Sequence, residues 1–196
     1  MPAPTGGVAG NQRLTATVAA VLLVLLAIEG ITIAFIRPLL TVHVFVGVLL
    51  IGPVALKVGS TTYRFARYYL RAEPYRRRGP PPLAFRILGP LLILSSLTVL
   101  GSGVGLVATR SGRDFFLQLH KASFVLWFVL MSAHVVGYAR RLVIQLAADW
   151  RRHVRAAGWV GGRGWRVALV AGSVLVGLVA ALASRRWGTA WPTGGR

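Results

Sequence analysis

Three of the four histidines, His43, His120 and His134, fall inside long apolar runs, and so does one carboxylate, Glu29. Ionisable groups are costly in hydrocarbon, so such residues mark ligand sites or proton relays. Neutral imidazole can ligate a metal, including haem iron, or pass a proton. A single histidine between helices can also do no more than bond a backbone carbonyl. Spacing separates these readings. His120 and His134 are fourteen residues apart, almost four helical turns, so they share one face about 21 Å apart along the axis. Each then lies near one membrane surface. His43 comes four residues after Leu39, where a second apolar run begins, and His120 five residues after Phe115, where a fourth begins. Both therefore sit at matching depth on different helices, and a haem with one axial histidine on each side fits between them.

A flat macrocycle needs small residues around it. Gly47 is one turn from His43, and Gly101, Gly103 and Gly105 of LGSGVGL lie at the corresponding end of the third run. Glycines so spaced also serve ordinary close packing, here Gly101 with Gly105. Arg37, Arg110 and Arg113 at that surface can pair with propionates or stay solvated. Glu29, about 10 Å below the end of the first span, can bond the second ring nitrogen of a ligand histidine and raise its basicity. Its other roles are proton acceptor for a quinol, or a protonated group bonded to a neighbouring threonine. At the opposite surface His134 is a third candidate metal ligand, but no second intramembrane histidine faces it, and Met131 on the same helix cannot reach the far side of a group bound there. His153, among Arg151, Arg152 and Arg155, reads as a loop residue.

The elements that carry these residues follow from length and hydropathy. The chain has 196 residues, 55% of them hydrophobic and 14% charged, with a mean hydropathy of +0.65. That is too apolar for an ordinary soluble domain. The expected fold is all-α: one integral membrane domain over residues 1–196, a bundle of five transmembrane helices at about 14–36, 39–56, 87–109, 115–138 and 167–184. A cleaved signal peptide is not expected, because the first apolar run is long and Met1–Gln12 carries no basic residue. Arg37-Pro38 is expected to join the first two helices tightly.

A net charge of +19 would suggest nucleic acid in a soluble protein, but the basic residues fall between apolar runs and leave no recognition domain. They set orientation instead. Sixteen of the 23 Lys and Arg lie in the N-terminal tail and the two long connections, against seven on the other side. The expectation is a multi-pass protein of the plasma membrane with its N-terminus cytoplasmic and its C-terminus outside, which puts His43 and His120 near the outer face. The loop YRFARYYLRAEPYRRRGPPP suits an anionic lipid surface until Pro80–Pro82 end it. With no cysteine, thiolate metal sites, iron–sulfur clusters and covalently attached haem are excluded.

With TVHVFVG and LHKASFVLWFVLMSAH in this order, the chain resembles the di-haem b-type cytochrome subunits of nickel–iron hydrogenases and formate dehydrogenases, over roughly residues 14–140. The resemblance implies that His43 and His120 hold the haem nearer the outer face and that His134 stands where a second haem would bind. The first-helix histidine of that family is absent here, so one haem b is expected. In its Arg, Ala, Gly and Val usage and its RYYLRAEPYRRRGPPP loop the chain also looks like actinobacterial membrane proteins, a likeness that implies no activity.

The function expected is electron relay between a membrane quinone pool and a dehydrogenase or reductase partner. That makes the chain an electron-transfer subunit and not a complete enzyme, since no nucleotide-binding glycine loop is present. The alternative is a haem-free scaffold or small transporter in which the histidines and Glu29 form a polar core. Pro53 and Pro90 would admit broken helices, but no inverted repeat is visible.

Overall fold

The computed structural model describes residues 7–77, 79, 83–109, 113–152 and 162–188, with side chains as far as Tyr138 in the fifth helix and Arg185 in the last. Arg110, Pro80–Pro82 and His153 lie outside the described residues. Six helices follow one another: α1 (Gly7–Ala34), α2 (Ile36–Tyr69), the short α3 (Glu73–Arg76), α4 (Leu83–Ala108), α5 (Arg113–Arg152) and α6 (Arg163–Gly188). All except α3 are long and apolar enough to cross a membrane, which fits a multi-pass membrane protein.

The apolar surface is distributed as a bilayer requires. Leu14, Val18 and Leu22 recur every fourth residue on one face of α1 and meet Val46 and Leu50 of α2 in a small buried core. Leu23, Val24, Leu94, Phe128 and Val176 are all more than half exposed on other faces. Lipid is as apolar as these side chains, so the helices are held by close packing and polar contacts and not by expulsion from water.

Phe35 alone separates α1 from α2, with φ −121° and ψ 45°. The turn thus precedes Arg37-Pro38. Proline in the first turn of a helix loses no intrahelical bond, and Pro38 sits there. The helices also outrun the expected spans. α2 continues to Tyr69 and α5 to Arg152, because hydropathy marks the lipid-crossing part of a helix and not its polar extension. At the end of α2, Arg71 takes a left-handed φ of 59° and the Ala72 N–H donates to the Arg67 carbonyl at 3.0 Å. The chain folds back there, burying Tyr75 of α3 against Tyr63, with ring centroids 6.1 Å apart.

Two packed groups make up the bundle. α1, α2 and α6 form one, and antiparallel α4 and α5 form the other; α4 makes a lesser contact with α2. α2 and α6 touch backbone to backbone: a Cβ on Gly52 would fall on the Ser173 carbonyl oxygen, and one on Gly177 on the Leu49 carbonyl oxygen. In the other group the Trp127 indole N–H donates to Ser96 Oγ at 3.0 Å. α2 and α5 are not among the closely packed helix pairs.

Candidate functional site

His43 of α2 and His120 of α5 come together near the end of the bundle that carries the two short connections. Their ring centroids are 6.2 Å apart and their planes inclined by 79°. Each ring is anchored by a different helix. His43 turns Nδ1 toward α1, 2.9 Å from Glu29 Oε1 and 3.1 Å from Thr32 Oγ1. The Thr32 hydroxyl has its own acceptor, the Glu29 carbonyl oxygen at 2.7 Å, so the His43 Nδ1–H goes to the carboxylate. Both side chains are largely buried, with 18% of His43 and 12% of Glu29 exposed.

His120 turns Nδ1 toward α4, 2.9 Å from the Val99 carbonyl oxygen and 3.2 Å from Ser102 Oγ. A carbonyl can only accept, so Nδ1 carries the proton. The two rings therefore share a tautomer, with Nδ1–H spent on the protein and Nε2 as the unprotonated nitrogen. Fixing one ring nitrogen to orient the other is how proteins prepare a metal-ligating imidazole.

The glycines near the pair are spent on these contacts. Gly47 makes room for the Glu29 carboxylate, whose Oε1 would be 3.4 Å from an added Cβ. Gly103 admits the edge of His120, with Cε1 at 3.2 Å, and Gly105 the ring of Phe116, at 2.6 Å. Gly101 is exposed, with open space around it. Arg37 is exposed in the first turn of α2, and Arg113 begins α5 at the same end of the bundle.

His134 lies toward the other end, its ring 6.1 Å from Phe85 and 4.7 Å from Tyr138. It is thus brought near neither His43 nor Glu29. Among the described residues no three His, Asp or Glu side chains converge on one point. The donor set is a pair, which is the number of axial positions a porphyrin leaves on its iron. Two imidazoles held by Nε2 on opposite sides of one metal, at about 2.0–2.1 Å each, have centroids about 6 Å apart. The separation of His43 and His120 agrees with this. The residues fit a bis-histidine haem.

The chain matches no protein-family model, no curated protein and no solved structure. Its chemistry rests on the geometry alone.

Thr32, Val99 and Ser102 contribute contacts that the sequence did not single out. Thr32 follows Glu29 by three residues and so shares its face, which was a usable signal. Ser102 lies inside the glycine run already marked. The Val99 carbonyl carried no signal, since every residue has one.

Proposed function

We propose that this chain is a membrane b-type cytochrome, an electron-transfer subunit that binds one haem between His43 and His120. Its role is to relay electrons between a membrane quinone pool and a dehydrogenase or reductase partner. One observation carries the reading: two half-buried histidines on two different helices, with ring centroids 6.2 Å apart, each with Nδ1 committed to the protein. A polar core without a ligand would let one imidazole bond the other or a carbonyl with either nitrogen, and it would not require matched tautomers.

When bound, haem supplies reversible one-electron chemistry at its iron. The protein's part is positioning and electrostatics. Glu29 and Thr32 orient His43, and the carboxylate makes that imidazole more basic, which favours the oxidised metal and lowers the potential. Val99 and Ser102 orient His120 through neutral groups. The half-burial of these side chains lowers the local dielectric, so the Glu29 charge acts strongly on His43.

Orientation follows from the basic residues concentrated in the long connections, which put that end in the cytoplasm and the histidine pair toward the outside. An extracytoplasmic redox partner then has the shorter route to the pair. The basic connections are suited to anionic lipid or an acidic cytoplasmic partner.

A reduced-minus-oxidised absorption spectrum, with haem quantified per chain, tests the reading. About one b-type haem per chain is expected, lost in His43→Ala and in His120→Ala. A colourless protein from cells supplied with haem would overturn it in favour of a haem-free polar core.

A further inference from the structure

The end of the bundle that carries the two short connections is more basic than membrane orientation explains. Seven of the 23 Lys and Arg fall on that side, against one exposed acid, Asp114. The remaining acids are placed elsewhere: Glu29 is held by His43, and the sequence puts Glu73 and Asp149 on the side of the long connections. Positive charge in short outer segments opposes the bias that orients the chain, so its concentration there calls for a negative partner. A haem between His43 and His120 would bring two propionates. Together with Asp114 these neutralise three of the seven charges and leave the surface positive.

The charge stands close to the histidine pair. Arg37 is exposed in the first turn of α2, six residues before His43, about 9 Å along the axis. Arg113 opens α5 seven residues before His120, about 10.5 Å along the axis and on the same face of the helix. Lys121, next to His120, is exposed, and so is Arg185 near the end of α6. At this end Phe35, alone between α1 and α2, and Phe115, in the first turn of α5, are 61% and 65% exposed. Exposed aromatic rings among charges of one sign make the usual composition of a protein interface, with aromatic anchors and a polar rim.

We propose that this end of the bundle docks the acidic face of a one-electron redox protein, steered there by Arg37, Lys121 and Arg185. The proposal rests on the haem reading and names the chemistry of its partner. Each transfer moves one electron between the partner's redox centre and the haem iron. The donor centre is oxidised and the acceptor reduced, and no bond forms or breaks. Anionic lipid is the other source of negative charge near these residues, but it would cover the shortest route to the pair.

The test uses the full chain, reduced, in phosphatidylcholine nanodiscs, with ferricyanide as the anionic and tris(phenanthroline)cobalt(III) as the cationic oxidant. Each takes one electron. Raising the ionic strength from about 0.01 to about 0.1 M shortens the Debye length from about 30 to about 10 Å. The ferricyanide rate should then fall about tenfold, and the rate with the cobalt complex should not fall. Lys121→Gln and Arg185→Gln, neither of which holds a histidine ring, should keep the haem and each slow ferricyanide about two- to threefold at low salt. Arg64→Gln, far along α2, should not. The chain has no cysteine, which gives a readout independent of haem. The single thiol of Phe115→Cys should react about tenfold faster with an anionic than with a cationic methanethiosulfonate, each relative to mercaptoethanol. Haem-bearing protein whose two oxidants respond alike to salt would overturn the proposal, as would a thiol without preference for the anionic reagent. Phosphatidylglycerol retained in native mass spectrometry from mixed-lipid nanodiscs, and lost in Lys121→Gln, would give the patch to lipid. A colourless chain would overturn the haem reading and the redox role with it. The two failures are distinct, since in one the haem is missing and in the other only the charge preference.

Discussion

Glu29 Oε1 lies 2.9 Å from Nδ1 of His43, although the two residues stand on opposite arms of a helical hairpin that turns on Phe35 alone. The tight turn fixes their register. Thr32, one turn along α1 from Glu29, closes the set by bonding the Glu29 backbone carbonyl and lying 3.1 Å from the same ring nitrogen. His120 has no such acid. Its Nδ1 rests on a backbone carbonyl of α4, so the two faces of the proposed haem differ in charge.

Glu29→Ala should weaken haem binding by about 10- to 100-fold, the usual cost of removing the group that orients a metal-ligating histidine. Glu29→Gln keeps an acceptor oxygen for Nδ1–H and should lose less affinity, while raising the reduction potential because the negative charge is gone. Haem titration into the haem-free protein, followed by absorbance, with a redox titration of the loaded form, measures both. Equal affinity in wild type and Glu29→Ala would show that the carboxylate does not act on His43 in this way.

On the opposite side, Ser102→Ala should do little. The Val99 carbonyl at 2.9 Å remains to hold His120 Nδ1–H, and Ser102 Oγ at 3.2 Å is the longer of the two contacts. Polar contacts between membrane helices average about 0.6 kcal/mol, about threefold in affinity. The same haem titration reads the difference. A loss as large as that of Glu29→Ala would move the anchor from Val99 to Ser102.

The five spans were legible because a hydrocarbon layer imposes a minimum apolar length, and the sequence meets it five times. The depth match of His43 and His120 was legible as distance from the start of each run, and Glu29 as the one acid among apolar residues. Helix ends were not legible: the RFARYY segment is helical by local bonding, for which hydropathy has no sign. The glycines were marked as space for a ligand, whereas Gly47 and Gly103 take up the edges of Glu29 and His120 and Gly105 takes up Phe116. Composition shows that there is room but not what fills it. The Val99 anchor depends on which helices become neighbours, and no spacing within one helix encodes that.

Tyr75 should ionise after an ordinary tyrosine. Burial in the turn after α2, then the charge and hydrogen bond of Tyr63, raise its phenol above the usual value of 10.0, against the opposing pull of Arg67 and Arg64. Above pH 10 the folded state keeps a proton that the unfolded chain has lost, so stability falls as pH rises through that window. Absorbance titration near 295 nm should show a late tyrosine that is missing in Tyr75→Phe. Simultaneous ionisation of all five tyrosines would show that the α3 turn does not shelter it.

Gly52→Ala and Gly177→Ala should each destabilise the bundle by about 1–3 kcal/mol or more, the range for overpacking a tight contact. The added methyl would meet backbone in both: the Ser173 carbonyl for Gly52 and the Leu49 carbonyl for Gly177. Backbone cannot rotate aside as a side chain can, so relief requires α6 to move away from α2. The two effects should not add, because the first substitution already separates the helices that the second would clash with. Gly101→Ala is the control, since its Cβ meets nothing within 4 Å, and it should stay within about 0.5 kcal/mol or gain slightly in helix propensity. Thermal unfolding in detergent, followed by circular dichroism, ranks the four proteins. Additive losses in the double variant would mean that α6 holds its place and the strain is absorbed elsewhere.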